Sequence, residues 1–344
     1  MPRLPKSIFL AFALVSASVV IGQTTALYSV IKTVKEGGDG GFDYVYADSA
    51  GRKLYIPRSG AGARVSVFNL DTLEPVGEIP NTNARGAAVD TSSGHGFSSS
   101  NPVAMWDTKT LAPIKTIPVE GRPDGILSDP FNHRIYVFSH SAPNATVIDA
   151  KDGSILGTID LGGAPEQAVT DGKGHIYVDL EDKDKIALVD AKTMKLTGTY
   201  DLGGKGGGPG GLAIDVKNHV LFASCHDPQT MVMLDSRDGK ILSSLPIGAG
   251  TDGATFNPST REAFSSQGDG TLTVIKETSP TTFVVEQNVQ TPRGAKTLTL
   301  DSKTNHILLI AAEYGTPAAP AAGGGRPRRG PLVPGSFSVV VVGK

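Results

Sequence analysis

The sequence predicts an all-β protein: a seven-bladed β-propeller closed by its own N-terminal strand. Three observations carry that expectation. The 42 Gly and 23 Pro among 344 residues, with few charges and 5 Met, describe many short strands joined by tight turns. A unit averaging about 42 residues returns seven times along the chain. The chain ends on SFSVVVVGK, a β-branched run that reads as a buried strand with nothing after it to pair with.

The first 26 residues, MPRLPKSIFLAFALVSASVVIGQTTA, stand apart from the repeats. Arg3 and Lys6 make a basic start, and Ile8 to Gly22 is an uncharged apolar run. That run falls short of the roughly 20 residues that span a bilayer, so residues 1–26 read as a secretory signal cut after Gly22 or Ala26. A periplasmic or extracellular location follows as an expectation, with no transmembrane segment after cleavage. No Cys lies near the cut to accept a lipid. Cys225 is the only cysteine, so no intramolecular disulfide forms and a large core must hold residues 27–344 together. The formal net charge of −2 gives no electrostatic case for nucleic acid or an anionic membrane.

The repeat is clearest in RPDGILSDPFNHRIYVFSHSAPNATVIDAKDGSILGTIDLGG. It holds a short apolar strand closed by Asp, a turn, an aromatic strand, a polar loop, an apolar strand closed by Asp, and a last alternating strand. The first closing residue falls at Asp48, Asp90, Asp129, Asp171, Asp215, Asn257 and Asp301. The second falls at Asn69, Asp107, Asp149, Asp190 and Asp235, with Lys276 as a departure. Asp or Asn there accepts backbone N–H groups two residues on and fixes the reversal, so these are turn formers rather than catalytic acids. Gly153 and Gly239 supply the positive φ that such a hairpin favours. Four strands per unit describe a propeller blade. The seventh unit lacks a fourth strand, and LYSVIKTVKEGG near the N-terminus matches the fourth strands; it therefore completes the last blade and leaves no open edge.

HRIYVFSHSAPNATVIDAKDGSILGTIDLGG and GHIYVDLEDKDKIALVDAKTMKLTGTYDLGG resemble the YVTN-repeat β-propellers, the exported YncE-like bacterial proteins among them. The resemblance covers the chain after the leader, and the tetrad is best kept in IYVF and IYVD. It implies the propeller fold. Members serve as surface, binding and enzyme-associated propellers, so it implies no one activity.

In a propeller the interblade loops and the loops between second and third strands open on one face, around the channel mouth. The first set offers Asp43, Arg85, Asp124, Glu166, Asp252, Arg293 and Lys296. The second offers Arg58, Asn101, His140, Glu181, Asp182, His226, Gln267 and Glu313. Eleven of these are the candidate ligand-binding residues: Asp43, Arg58, Arg85, Asp124, His140, Glu166, Glu181, His226, Asp252, Gln267 and Arg293. His140 and His226 sit at equivalent points of blades three and five, in VFSH and ASCH, and are the candidate ligands for a divalent metal with Asp124, Glu166 or Asp252. No short ligand motif supports them, and two solvated loop histidines is the plainer reading. The other five histidines fall mostly on the opposite face.

Cys225 is adjacent in a strand to His226, so the two point to opposite faces and Cys225 reads as a packing residue. GKGGGPGGL contains G-x-G-x-x-G, but strand residues follow it rather than a helix, so it is an interblade loop. CxxCH, HExxH, GxSxG and P-loop patterns do not occur. Residues 315–335 form a Pro/Ala/Gly-rich insertion in blade seven carrying Arg326, Arg328 and Arg329, expected to be mobile.

Two functional classes remain open. One is a monomeric binding scaffold that takes a small-molecule, cell-envelope or protein partner at the channel mouth. The other is a propeller enzyme, a metal-assisted lactone hydrolase or an oxidoreductase with its cofactor over the channel.

Overall fold

The computed structural model describes Met1 and residues 26–142, 144–316 and 330–344. Nearly all of the expected leader and residues 317–329 of the insertion lie outside the described residues. The chain is a seven-bladed β-propeller of seven four-stranded antiparallel sheets. The innermost strands run Tyr46–Asp48, Ala87–Asp90, Pro123–Asp129, Pro165–Thr170, Pro209–Asp215, Thr251–Asn257 and Leu298–Asp301. Each packs on the next, and Leu298–Asp301 returns to Tyr46–Asp48, so the inner strands form a closed ring around the channel. No helix among the described residues is long and apolar enough to cross a membrane.

The terminal strand Ser338–Gly343 has its partner. Ser29–Lys35 pairs with it antiparallel, from Ser29 opposite Gly343 to Lys35 opposite Ser338. Both chain ends also grip blade six. Tyr28 exchanges two hydrogen bonds with the Gln287 side chain, at 2.9 and 2.7 Å. Its hydroxyl donates to buried Glu262, which also accepts the Lys344 ammonium at 2.8 Å. The ring is thus closed by backbone pairing and pinned by a buried carboxylate.

The core is divided among the junctions. Apolar residues of adjacent blades pack face to face, as Leu54 and Ile56 of blade one do against Val339 and Val341 of blade seven. Every blade-to-blade junction has such a cluster. At roughly 1.5–3 kcal/mol for each large apolar side chain buried, these clusters hold the ring without a disulfide.

The turn carboxylates act as the sequence indicates. Asp48 accepts from Gly51, Asp90 from Ser93, Asp215 from Lys217 and Asp301 from Lys303. In the outer hairpins Asp107, Asp149 and Asp235 do the same. Gly153 and Gly239 have φ of 70° and 74°, but Leu73, Leu111 and Met194 occupy the same turn position at 67°, 61° and 54°. Their side chains are tucked against junction clusters, and that burial offsets the backbone strain. Where Lys276 replaces the turn Asp, no reversal forms. The strand runs on as Thr271–Ser279, and Thr282–Gln290 lengthens to match it.

Candidate functional site at the channel mouth

One register decides what faces the mouth. Asp43, Arg85, Asp124, Glu166, Gly210, Asp252 and Lys296 each stand five residues before the turn residue that closes an innermost strand. The ring fold turns this linear register into a circle of seven positions with six charged side chains. The seventh, Gly210, is filled from elsewhere: a Cβ there would lie 3.0 Å from His226 Nε2. Blade five therefore contributes His226 where its neighbours contribute a charge.

The second-to-third-strand loops are clamped over this circle by backbone hydrogen bonds. His140 N–H donates to Arg122 O, Glu181 N–H to Ala164 O and His226 N–H to Gly208 O. His140, Glu181 and His226 are held beside the circle by the same bond in successive blades.

Three ion pairs, made by two cations, neutralise part of the charge. Arg85 lies 2.7 Å from Asp43 and 3.5 Å from Asp124, and Lys296 lies 2.6 Å from Asp252. Among the described residues, Glu166 has no cation within ion-pair reach other than His140, whose Nε2 is 3.8 Å away. His140 Nε2 is also 3.4 Å from Glu181, and His226 Nε2 is 4.0 Å from the same carboxylate. One donor atom each from Asp124, His140 and Glu166 lie within 4.8 Å of one another, a spacing that can hold a metal ion. His140 Nε2 is buried there with no hydrogen-bond partner among the described residues.

The electrostatics follow from crowding. Burial, then the charges of Asp124 and Glu181, push the Glu166 carboxyl up to about 8. Burial, then Asp252 and Asp124, push Asp43 up to about 7 against the pull of Arg85. Asp124 is raised by burial despite Arg85 and His140. Two carboxyl groups at this mouth therefore titrate near neutrality.

The next register position lines the channel beneath the charged circle. The position next along is glycine in four blades, at Gly86, Gly125, Gly211 and Gly253, but Tyr44, Gln167 and Thr297 in the others. Gly125 is required: a Cβ would lie 2.4 Å from Glu166 O of the next blade. The Tyr44 hydroxyl donates across the channel to Glu166 at 3.0 Å. Gln167 bonds Leu212 N–H, Ala254 N–H and Ala254 O, bridging blades four, five and six. Below them a cavity of about 210 Å³ continues down the channel. The sequence reading missed Tyr44 and Gln167, although the register that names the charged circle names them too.

Three expected site residues are placed away from this cluster. Arg58 turns inward, only 2% exposed, and donates to the carbonyls of Gly37, Gly38 and Gly40 while lying 3.8 Å above the Phe337 ring. It fastens the N-terminal segment. Gln267 is fully buried, and its Oε1 accepts from Thr271 and Thr273 inside its own hairpin. Arg293 lines a separate cavity of about 650 Å³ with Lys35, Glu313 and Tyr314. Cys225 is buried packing, its thiol pushed up to about 12 first by burial. GKGGGPGGL leads into the strand Pro209–Asp215, so no helix N-terminus follows the glycines.

No protein-family model and no curated protein matches the chain. Solved structures do. A chain of a mitotic checkpoint complex is 11% identical with a TM-score of 0.71, over 88% of this chain and 95% of that one. A functionally unknown protein from Desulfotomaculum acetoxidans DSM 771 is 14% identical with a TM-score of 0.63, over 72% and 85% of the two chains. The likeness is one of fold.

Proposed function

We propose that this is an exported propeller of the YVTN-repeat kind, acting as a binding scaffold whose channel mouth takes a divalent cation. Asp124, His140 and Glu166 are its protein ligands, and the cation presents a docking point to a small-molecule or cell-envelope partner. One observation carries the reading. A buried ring nitrogen of His140, without a hydrogen bond among the described residues, sits among carboxylates from other loops, with three donor atoms within 4.8 Å. Imidazole with carboxylate suits zinc, manganese or iron better than calcium or magnesium. The repeat phrases support the family, and the apolar leader supports periplasmic or extracellular location.

Calorimetric titration of chelator-treated protein with Mn²⁺ or Zn²⁺ tests it. One site should be found, and it should be lost in the double variant Asp124→Ala, His140→Ala. Equal affinity of wild type and double variant overturns the reading.

The hydrolase alternative has its own support in Asp43 and Glu166. Carboxyl groups titrating at about 7 and about 8 are in the range of a general acid or base. Turnover of a simple lactone by Mn²⁺-loaded protein, abolished by Glu166→Gln, would establish it. Absence of turnover leaves the scaffold reading.

A further inference from the structure

Beside the charged circle, over blades one to three, lies a cavity of about 430 Å³ that reaches Asp43 and Arg85 at one end. We propose that this cavity binds a small hydroxylated carboxylate, with its carboxylate on Arg122 and Arg85. The inference rests on the reading of the mouth as a binding site, but not on the cation.

The cavity's charge is the first argument. Arg85 and Arg122 both line it, and Asp43 is the only carboxylate in the lining. Asp43 already holds Arg85 Nη1 at 2.7 Å. The remaining guanidinium nitrogens of Arg85 make no hydrogen bond among the described residues, and the Arg122 guanidinium makes neither a hydrogen bond nor an ion pair there. Arg85 is shared between Asp43 and Asp124, so Arg122 is the lining cation without an ion pair among the described residues, and its whole fork of donors is on offer beside the remaining Arg85 donors. Planar guanidinium pairs match a carboxylate in two-point contact.

The rest of the lining selects what the carboxylate is attached to. Asn83 Oδ1 accepts from Gly60 N–H at 3.0 Å, which fixes the amide and leaves its NH₂ without a partner among the described residues. The Ser59 hydroxyl makes no hydrogen bond of its own there. These groups suit ligand hydroxyls. Phe42, set against Phe337 with ring centroids 5.0 Å apart, gives the carbon skeleton an apolar surface. The volume is in the range of small-molecule sites.

Arg122 is positioned by its neighbour. Gly121 has φ of 72°, and a Cβ there would lie 2.1 Å from Ser139 Oγ. That close approach lets Arg122 N–H donate to Ser139 at 2.9 Å, fixing the residue at the cavity edge. At the inner end, Arg85 is 3.5 Å from Asp124, so a ligand filling the cavity ends beside the cation ligands.

The test uses a matched pair, sodium gluconate and its uncharged counterpart sorbitol, titrated into chelator-treated full-length protein by calorimetry. Gluconate should bind at least tenfold more tightly than sorbitol. Arg122→Ala should remove that preference, Arg122→Lys should restore part of it, and Mn²⁺ affinity should stay within twofold in both. Arg122 is exposed, and circular dichroism checks that the fold is kept. Failure of gluconate to bind, equal binding of the pair, or an unchanged preference in Arg122→Ala each overturns the proposal. Gluconate binding without Mn²⁺ binding would instead sink the cation reading and leave this one standing.

Discussion

The two ends of the same inner strands carry the same residue types with opposite electrostatics. Glu166 and Asp171 bracket one strand. Burial acts on both, yet Glu166 is raised to about 8 while Asp171 is lowered. At Asp171 the His175 amide and ring and the Lys173 amide outweigh desolvation. At Glu166 the neighbours are Asp124 and Glu181, which add to it. Across the junction of blades seven and one, Arg52 and Thr304 overcome burial to hold Asp301 at about 2. Asp129 and Glu277 are exceptions on the turn face: both are fully buried and desolvation raises both, Glu277 to about 7 with Asp215 beside it. A carboxylate surrounded by donors is a structural part; one surrounded by carboxylates waits for a cation or a proton.

The largest effect is expected from breaking the turn face. Asp301 carries both Arg52 nitrogens, at 2.7 and 2.8 Å, and its own turn. Asp301→Ala leaves Arg52 with exposed Asp71 and the Ser49 carbonyl, and should cost about 3 kcal/mol in urea denaturation. A loss below about 0.5 kcal/mol would show that this face does not lock the ring. The opposite sign is expected at the mouth. Glu166→Gln removes a carboxylate that is costly to ionise yet keeps an oxygen for the Tyr44 hydroxyl. It should raise stability at pH 8 by about 1 kcal/mol, while Mn²⁺ affinity falls at least tenfold. Destabilisation on that substitution would place Glu166 with the structural carboxylates.

The pH dependence separates the faces more finely. Asp43 and Glu166 bind protons more tightly folded than unfolded. Their contribution to stability is full below the ordinary carboxylate range and is lost as pH rises through about 7 and about 8. Asp301 does the reverse: its contribution is present above the ordinary aspartate value and is lost as pH falls through about 2. Melting temperature measured from pH 2 to 9 should therefore peak on the acid side of neutrality. Mn²⁺ affinity should climb between pH 6 and 9 as Glu166 deprotonates. A flat affinity across that range would remove Glu166 from the ligand set. The smallest effect is expected from His133→Ala with His175→Ala. These histidines serve Asp90 and Asp171 on the turn face, so stability should fall by a few tenths of a kcal/mol with Mn²⁺ affinity unchanged.

Much of this was legible before folding, because a repeat states its geometry many times over. The turn Asp and Asn residues marked every blade, and the unpaired SFSVVVVGK required the N-terminal strand that pairs with it. The charged circle was legible in part. Asp43, Arg85, Asp124, Glu166, Asp252 and Lys296 share one register, and the same register names Gly210 as the gap. Arg58 and Gln267 were misplaced because a loop position gives no direction for a side chain. Gly40 adopts φ of 97° and brings carbonyls to Arg58, and Thr271 and Thr273 capture Gln267 within its hairpin.

The sequence by itself determined the blade count, the closure and the turns, since each depends on local pattern and on strands needing partners. Only the tertiary structure decided which charges meet. His140, Glu166 and Glu181 lie in separate loops, and Tyr44 reaches Glu166 over 122 positions of chain. Ionisation depends on distance and burial, and both are properties of the closed ring rather than of any one repeat.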